Sequence, residues 1–592
     1  MKRSYLDHHK DIPLTLDGQL KRCASLYGDR QAISDSRFSL NWREVDALVT
    51  HLAYKLLERS AKRGDRILIS MERRIEIVLA FLAVARLGAV SVPLNFKVSR
   101  DERQQVIDLV KPVGGLYHSH IYEMVSPLET AGWSICLDDA PFIEMIKNPS
   151  SVISDQNENQ LFSIDPDAPA YLNMTSGSTG IPKAAVATNR QLTENTRACV
   201  DKFEMNENDI HLPLFAVMAH PHEIFCRALM TGASIVLLEN LYPRTIAETI
   251  DKCRVTCIMA VASVYNLLIP FLAEKKYNVS SLRLPESGGM VTSPSLIDRF
   301  QEVAGVPIIP VWGSTESMGV AFSSELDGSS PKDSVGKPLP GYTAKIVNSQ
   351  GKELPPGNTG EMFLKGPGIM TGYWNNEKLT SEVLKDYWYH SGDLFEKDHE
   401  GNFYYRGRLD AMMKVSGLKI FPAEIEAAIF SHPSVRDAVV VPYDQQGRGI
   451  VPMALIVTEP GEVLGESQLR RFLLTKLSVN KIPKIIRFLP DLPRTSNGKI
   501  DRQNLSFFAD SKQKPSIDSL ERRLEAIDLK ILHLLNERMR IENAIQRDQR
   551  KAAFQPERIQ EIIDKLVEFN PGPLHDSVVE ELFNKILSLG IL

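Results

Sequence analysis

The longest apolar run, IVLAFLAVARLGAVSVPL from Ile77 to Leu94, constrains the fold most. Arg86 and Gly88 interrupt it, and a spanning helix needs roughly twenty mostly apolar residues. The run therefore reads as a buried helix, Glu76–Leu87, leading into a strand, AVSVPL. A short apolar strand, RILIS at Arg66–Ser70, precedes it, and an amphipathic helix at Trp42–Glu58 precedes that. This β–α–β rhythm predicts an α/β fold with largely parallel sheets. Strand-like pieces recur at Ala233–Leu238 and Cys257–Val261.

The pattern changes near Arg408–Asp410, where a compact α+β stretch begins. It contains a helix at Pro422–Ser431, strands at Asp437–Pro442 and Pro452–Val457, and a helix at Glu466–Leu477. Phe508–Ser516 is polar and proline-containing, which marks a linker. Beyond it the periodicity is helical. Leu520, Leu524, Ile527, Ile531, Leu534, Ile541 and Ile545 form one apolar seam. Pro556 starts a second helix, and NPGP at Asn570–Pro573 breaks it. Ser577 and Glu580 form a capping-box pattern for a last helix that ends near Gly590. An exposed seam on so few helices predicts a dimer. The expected division is 1–409, 410–507, a linker at 508–516 and a helical domain at 517–592.

At 592 residues and 43% hydrophobic content, the chain exceeds one compact domain. Its 69 basic and 74 acidic side chains leave a net charge of −5, with no basic stripe for nucleic acid. The start, MKRSYLDHHKDIPL, is polar where a signal peptide is apolar. Six scattered cysteines without a zinc-type spacing predict buried thiols in a reducing, cytoplasmic compartment. No membrane partner is expected.

Four motifs carry chemistry. TSGSTGIPK, Thr175–Lys183, puts hydroxyls, glycines and a lysine directly after an apolar segment, a composition that lets backbone N–H groups approach phosphate. It lacks the glycine before lysine that the GxxxxGK[ST] loop requires. WGSTE, Trp312–Glu316, offers a ring for a purine and oxygen ligands suited to Mg²⁺. YHSGD at Tyr389–Asp393 and YYRGRLD at Tyr404–Asp410 supply a carboxylate for ribose hydroxyls and an arginine. KVSGLKIFPAEIE at Lys414–Glu426 and PRTSNGK at Pro493–Lys499 place lysines on Gly/Ser loops. Each alone is also compatible with a polar turn or, for Trp312, a buried ring beside a turn.

Together and in this order, with LNWREVDALV, GEMFLKGPGIMTGYW and LPRTSNGKIDR, they resemble the adenylate-forming superfamily over about residues 10–505. The resemblance implies a large α/β domain with a small, mobile α+β domain. Thr175, Ser176, Ser178, Thr179 and Lys183 would hold the phosphates of ATP. Gly288, Gly289 and Met290 would line the adenine pocket with Trp312 and Gly313. Thr315 and Glu316 would lie beside phosphate and Mg²⁺. Asp393 and Arg408 would hold ribose, Asp410 would lie near the hinge, and Lys499 would be the adenylation lysine. Lys499, Glu316 and Thr175 are the expected catalytic residues. The Gly417 loop, with Lys419, would serve the thiol step. The family usually has Tyr where Trp312 stands.

The implied reaction activates a carboxylic acid. Hydroxide is a poor leaving group, so attack of the carboxylate on the α-phosphorus of ATP makes an acyl-adenylate and releases pyrophosphate. Positioning and charge stabilisation do the catalysis. The acyl group then passes to a thiol. CoA is expected, and the phosphopantetheine of a separate carrier protein is the alternative, as is a non-catalytic sensor. LPLFAVMAHPHEIF, Leu212–Phe225, occupies the position of the pocket mouth, with His220 as the polar candidate. Met218, Val261, Met290 and Val291 would make a mainly apolar pocket, which suits an aromatic or medium apolar acid better than an amino acid.

Residues 517–592 resemble the all-helical chorismate mutases, implying an all-α three-helix domain. Arg538 and Arg558 match two arginines of that family. Glu521, Gln549 and Ile559 stand where other polar groups are expected. Losing one transition-state donor can cost about 10²–10³ in rate. Dimerisation module, chorismate-like binding site and weak mutase all remain open at this point. Fused to a ligase, such a mutase-like module points to an aryl acid as the substrate, with hydroxybenzoate the simplest.

Overall fold

A computed structural model describes residues 11–95, 100–125, 132–149, 164–176, 182–215, 217–415, 418–444, 450–459, 461–493, 500, 505, 535, 538, 560, 562–563 and 576–588. The chain divides into two compact units, Met1–Asn504 and Leu505–Leu592.

The centre of the first unit is the helix Ile75–Leu87, in which every residue is buried. It packs against the helices Leu16–Leu26, Trp42–Glu58 and His222–Thr231. A helix with no solvent face must neutralise its charges internally. Arg86 donates to Asp17 Oδ1 and Asp46 Oδ1, both at 2.5 Å, and to Thr50. Glu76 accepts from Arg37 at 2.7 Å. Gly88 ends the helix with φ +69°, a conformation without steric penalty only for glycine. The chain then enters the strand Val90–Pro93 directly.

Two large sheets share this core. In the seven-stranded sheet the order is 372–373, 182–188, 169–176, 90–93, 66–70, 114–117, 133–136. Its last five strands are parallel. The nine-stranded sheet runs 337–338, 319–323, 309–314, 284–287, 257–260, 210–213, 234–236, 31–34, 39–41. Six consecutive strands of it, from 309–314 to 31–34, are parallel. An antiparallel five-stranded sheet from residues 343–408 follows, which the periodicity had not disclosed. The stretch after Asp410 forms the hairpin 413–415/418–420 and a three-stranded sheet of 435–444, 450–458 and 485–488. Its strands outrun the predicted ones because the antiparallel ladder continues from Val435↔Thr458 to Asp444↔Ile450.

The helix Trp42–Glu58 has the predicted bounds, fixed by a capping box of Asn41 and Glu44. The buried helix starts one residue earlier than predicted, at Ile75. The helix Glu466–Leu474 is shorter than its pattern. In the second unit, Leu535, Arg538, Gln560, Ile562 and Ile563 are helical, as is Asp576–Ser588. Ser577 therefore lies inside the last helix rather than at its cap.

All six cysteines are free. Cys23, Cys199, Cys226 and Cys257 are buried, and burial pushes every thiol up, those of Cys23 and Cys199 to about 12. Asp209, His211 and Cys257 form a close group of potential metal-ligand atoms. Both oxygens of Asp209 are taken by Arg283, however, at 2.8 and 2.5 Å. Among the described residues no helix is long and apolar enough to cross a membrane.

Replacing Arg86 by Met deprives Asp46 of its ion pair and leaves Asp17 paired with the more exposed Lys21. Breaking a buried pair by removing one partner costs about 3–5 kcal/mol, and the partial exposure of both carboxylates favours the lower end. Urea unfolding of the first unit followed by tryptophan fluorescence is expected to show this loss.

Candidate active site

In doubly wound sheets, ligands gather at the carboxyl ends of parallel strands. Four adjacent strands of the nine-stranded sheet end at the candidate residues. Strand 210–213 leads to Met218 and His220, and strand 257–260 to Val261. Strand 284–287 leads to Gly288, Gly289, Met290 and Val291. Strand 309–314 carries Trp312 and Gly313 and passes into a 3₁₀ turn, Thr315–Ser317.

Backbone geometry explains the glycines. A Cβ on Gly313 would lie 2.1 Å from the carbonyl oxygen of Gly319 across the hairpin, so only glycine lets these strands close. Gly289 has φ +74°, and the space beside it is bounded by Val261. Val291 is 47% exposed, on the open side of this group.

The seven-stranded sheet supplies the phosphate motif. Thr175 pairs across the hairpin with Lys183. Ser176 is described in its backbone only, and Ser178 and Thr179 lie outside the described residues. Lys183 Nζ stands 5.8 Å from the centre of the Tyr373 ring, a cation–π distance. The Tyr373 hydroxyl donates to Glu316 Oε1 at 2.7 Å. Tyr373 thus connects Lys183 with Glu316, although sequence reading had given it no role. It sits in the edge strand 372–373 that pairs with Ala185 and Val186. The only signal for it was its place in GPGIMTGYW. The other oxygen of Glu316 has no hydrogen-bond partner among the described residues. Asn173 on the same sheet lies 3.2 Å from His220 Nδ1 and so ties the segment after strand 210–213 to the strand 169–176.

Asp393 and Arg408 are cross-strand partners, and Arg408 Nη1 lies 3.1 Å from Asp393 Oδ1. The Trp312 indole is a neighbour of Asp393 that favours its ionised form. The Trp312 ring packs edge-on against Phe322 and Phe395, each at 5.5 Å. Arg408 also reaches Asp410 at 3.4 Å. Burial pushes the Asp393 carboxyl up to about 6, against the pull of Arg408. Gly417 and Lys499 lie outside the described residues, and Lys419 is described only in its backbone strand, Leu418–Ile420. In the second unit, Arg538 is helical and half-buried, and Arg558 lies outside the described residues.

The AMP-binding enzyme family profile matches residues 20–374, and the profile of its C-terminal domain matches 424–499. The chain belongs to the AMP-binding enzyme family. A chorismate mutase type II profile matches residues 520–592, so this family member carries a mutase-type domain at its end. The chain is 27% identical to the indoleacetate–CoA ligase of Aromatoleum aromaticum, over 83% of this chain and 98% of that one. It is 31% identical to 4-coumarate–CoA ligase-like 9 of Arabidopsis thaliana, over 80% of this chain and 86% of the relative. A solved O-succinylbenzoate coenzyme A synthetase from Bacillus subtilis, in complex with AMP, superposes with a TM-score of 0.72. That pair shares 26% identity and covers 82% of this chain and 97% of the other. This AMP-binding enzyme is an acid–CoA ligase of the AMP-forming type, using ATP and CoA. The likeness is to CoA ligases and gives no support to a carrier-loading enzyme or a sensor.

If Asp393 takes the ribose role that the resemblance implies, a carboxyl held near 6 must lose its proton before it can accept from both hydroxyls. Its folded value lies above the ordinary carboxylate value, so falling pH depletes the ionised form earlier than for an exposed Asp. The kcat/KM for ATP reports the free enzyme, and it is expected to fall about tenfold per pH unit below about pH 6. In Asp393→Asn the profile becomes low and flat. Pyrophosphate release across this range measures it.

Proposed function

We propose that this ligase activates an aromatic carboxylic acid of the hydroxybenzoate type and transfers it to CoA. The observation that carries the reading is the apolar company of Met218, Val261 and Val291 at the sheet ends, relieved by one polar pair, His220 and Asn173. A ring with a polar substituent suits such a lining. The names of the relatives, an indoleacetate ligase and a succinylbenzoate synthetase, point the same way.

In this reading Thr175, Ser176, Ser178, Thr179 and Lys183 bind the phosphates, and Tyr373 holds Glu316 in position beside them. Trp312, Gly313 and Gly288–Met290 receive adenine, and Asp393 with Arg408 receives ribose. Glu316 and Thr315 offer the hard oxygen donors that Mg²⁺ prefers, and the free oxygen of Glu316 fits that role. The bound ion would supply charge neutralisation at the phosphates. Lys499 stabilises the charge that develops during adenylation, and the Gly417 loop with Lys419 serves thioester formation after the small domain moves. Lobe boundaries at 409, 507 and 516 follow from the same reading. Six unpaired thiols favour a cytoplasmic setting. A panel of benzoates, cinnamates and alkanoates, scored by pyrophosphate release, is expected to rank a hydroxybenzoate first by at least tenfold in kcat/KM. An alkanoate at the head of the ranking refutes the aromatic assignment.

The mutase-type domain acts as a dimerisation module in which Arg538 and Arg558 retain part of a chorismate-like site. With 11 basic and 14 acidic residues over 517–592 it has no overall basic bias toward a dianion. Its seam from Leu520 to Ile545 suits pairing with a second copy. Deleting residues 511–592 is expected to turn a dimer into a monomer by light scattering and to leave adenylation within about twofold.

A further inference from the structure

Arg73 is the least conventional charge in the first unit. It is only 6% exposed, and it follows the strand Arg66–Ser70 at the carboxyl end of the seven-stranded sheet. No carboxylate among the described residues pairs with it. Its neighbour Arg74 takes the nearby acids instead, Glu72 at 3.0 Å and Glu239 at 3.3 Å. The Arg73 guanidinium donates to two backbone carbonyls, Phe215 and, at 3.4 Å, Leu238. Its Nε has no hydrogen-bond partner among the described residues. Burial without a counter-charge pulls its pKa down to about 10.

A buried, uncompensated guanidinium is costly, and a stability role alone is better served by an apolar side chain of the same volume. Both acceptors belong to the other sheet. Phe215 follows strand 210–213, and Leu238 follows strand 234–236. The segment that begins at Phe215 carries Met218 and ends at His220, where Asn173 holds it. Arg73 and Asn173 therefore hold Phe215 and His220 to the seven-stranded sheet.

We propose that Arg73 is a positioning residue that fixes Phe215, at the approach to residues 217–220, and thereby sets which acids the enzyme accepts. This rests on the assignment of those residues to the acyl pocket. A planar fork with several donors can hold two carbonyls in fixed directions, and an ammonium cannot. The carboxyl ends of the two sheets are thus coupled through a residue outside the motifs assigned to ATP and acid.

The test compares wild type with Arg73→Met and Arg73→Lys on two acids of unlike size that the wild-type enzyme turns over. The readout is the ratio of their kcat/KM values, which cancels the fraction of active protein and so tolerates partial misfolding. Arg73→Met is expected to shift this ratio tenfold or more while KM for ATP stays within twofold. Arg73→Lys is expected to restore it in part. A ratio unchanged within twofold in both variants overturns the proposal, as does a KM for ATP that rises in step with that for the acid. If Arg73→Met yields no soluble protein, Arg73→Lys and Arg73→Gln are read by the same ratio. Met218→Phe separates the two levels of the argument. If it leaves the ratio unmoved, the pocket assignment fails. If it moves the ratio and the Arg73 variants do not, only the role of Arg73 fails.

Discussion

A helix with no wet face organises the molecule. Because Ile75–Leu87 is enclosed on every side, chain must surround it, and two sheets with their covering helices do so. Its two charges set the further condition. Arg86 needs Asp17 and Asp46, which lie in two other helices, and Glu76 needs Arg37 beside a strand of the nine-stranded sheet. These pairs fix the relative placement of four segments that are distant in sequence. The carboxyl ends of both sheets then converge, and the candidate active site forms where they meet.

The site itself is held by contacts between motifs more than within them. Lys183, Tyr373 and Glu316 come from separate segments of the chain and meet in a single chain of contacts. Trp312, Asp393 and Arg408 form another. A substitution in one motif is therefore felt in the next, which explains why no motif is convincing alone while their order is.

Local signals were legible in the sequence where a single segment determines its own form. The capping box of Asn41 and Glu44 fixes the Trp42 helix, and the Gly88 stop fixes the end of the buried one. The candidate residues of Thr175–Lys183 and of the strand ends could likewise be proposed from composition and order. Tyr373 could not, because its role depends on an edge strand that pairs with a partner almost two hundred positions earlier. Arg73 was hidden for a similar reason, since it sits in a polar prelude to an apolar run and its acceptors are backbone carbonyls far along the chain. The antiparallel sheet of 343–408 escaped notice because its longest strand, Trp388–Lys397, runs through YHSGD, whose Ser, Gly and Asp read locally as a turn.

The cysteines bear on the chemistry from the opposite direction. An acyl-adenylate is a strong electrophile, and the enzyme that makes it must hold it until a thiol arrives from outside. A thiolate of the protein's own within reach would compete for that acyl group. Four of the six thiols are sealed in the core, and all six are shifted toward the protonated, unreactive form. Reactive thiolate is the species that attacks, so thiols held protonated by burial compete little with the one that the second half-reaction brings in.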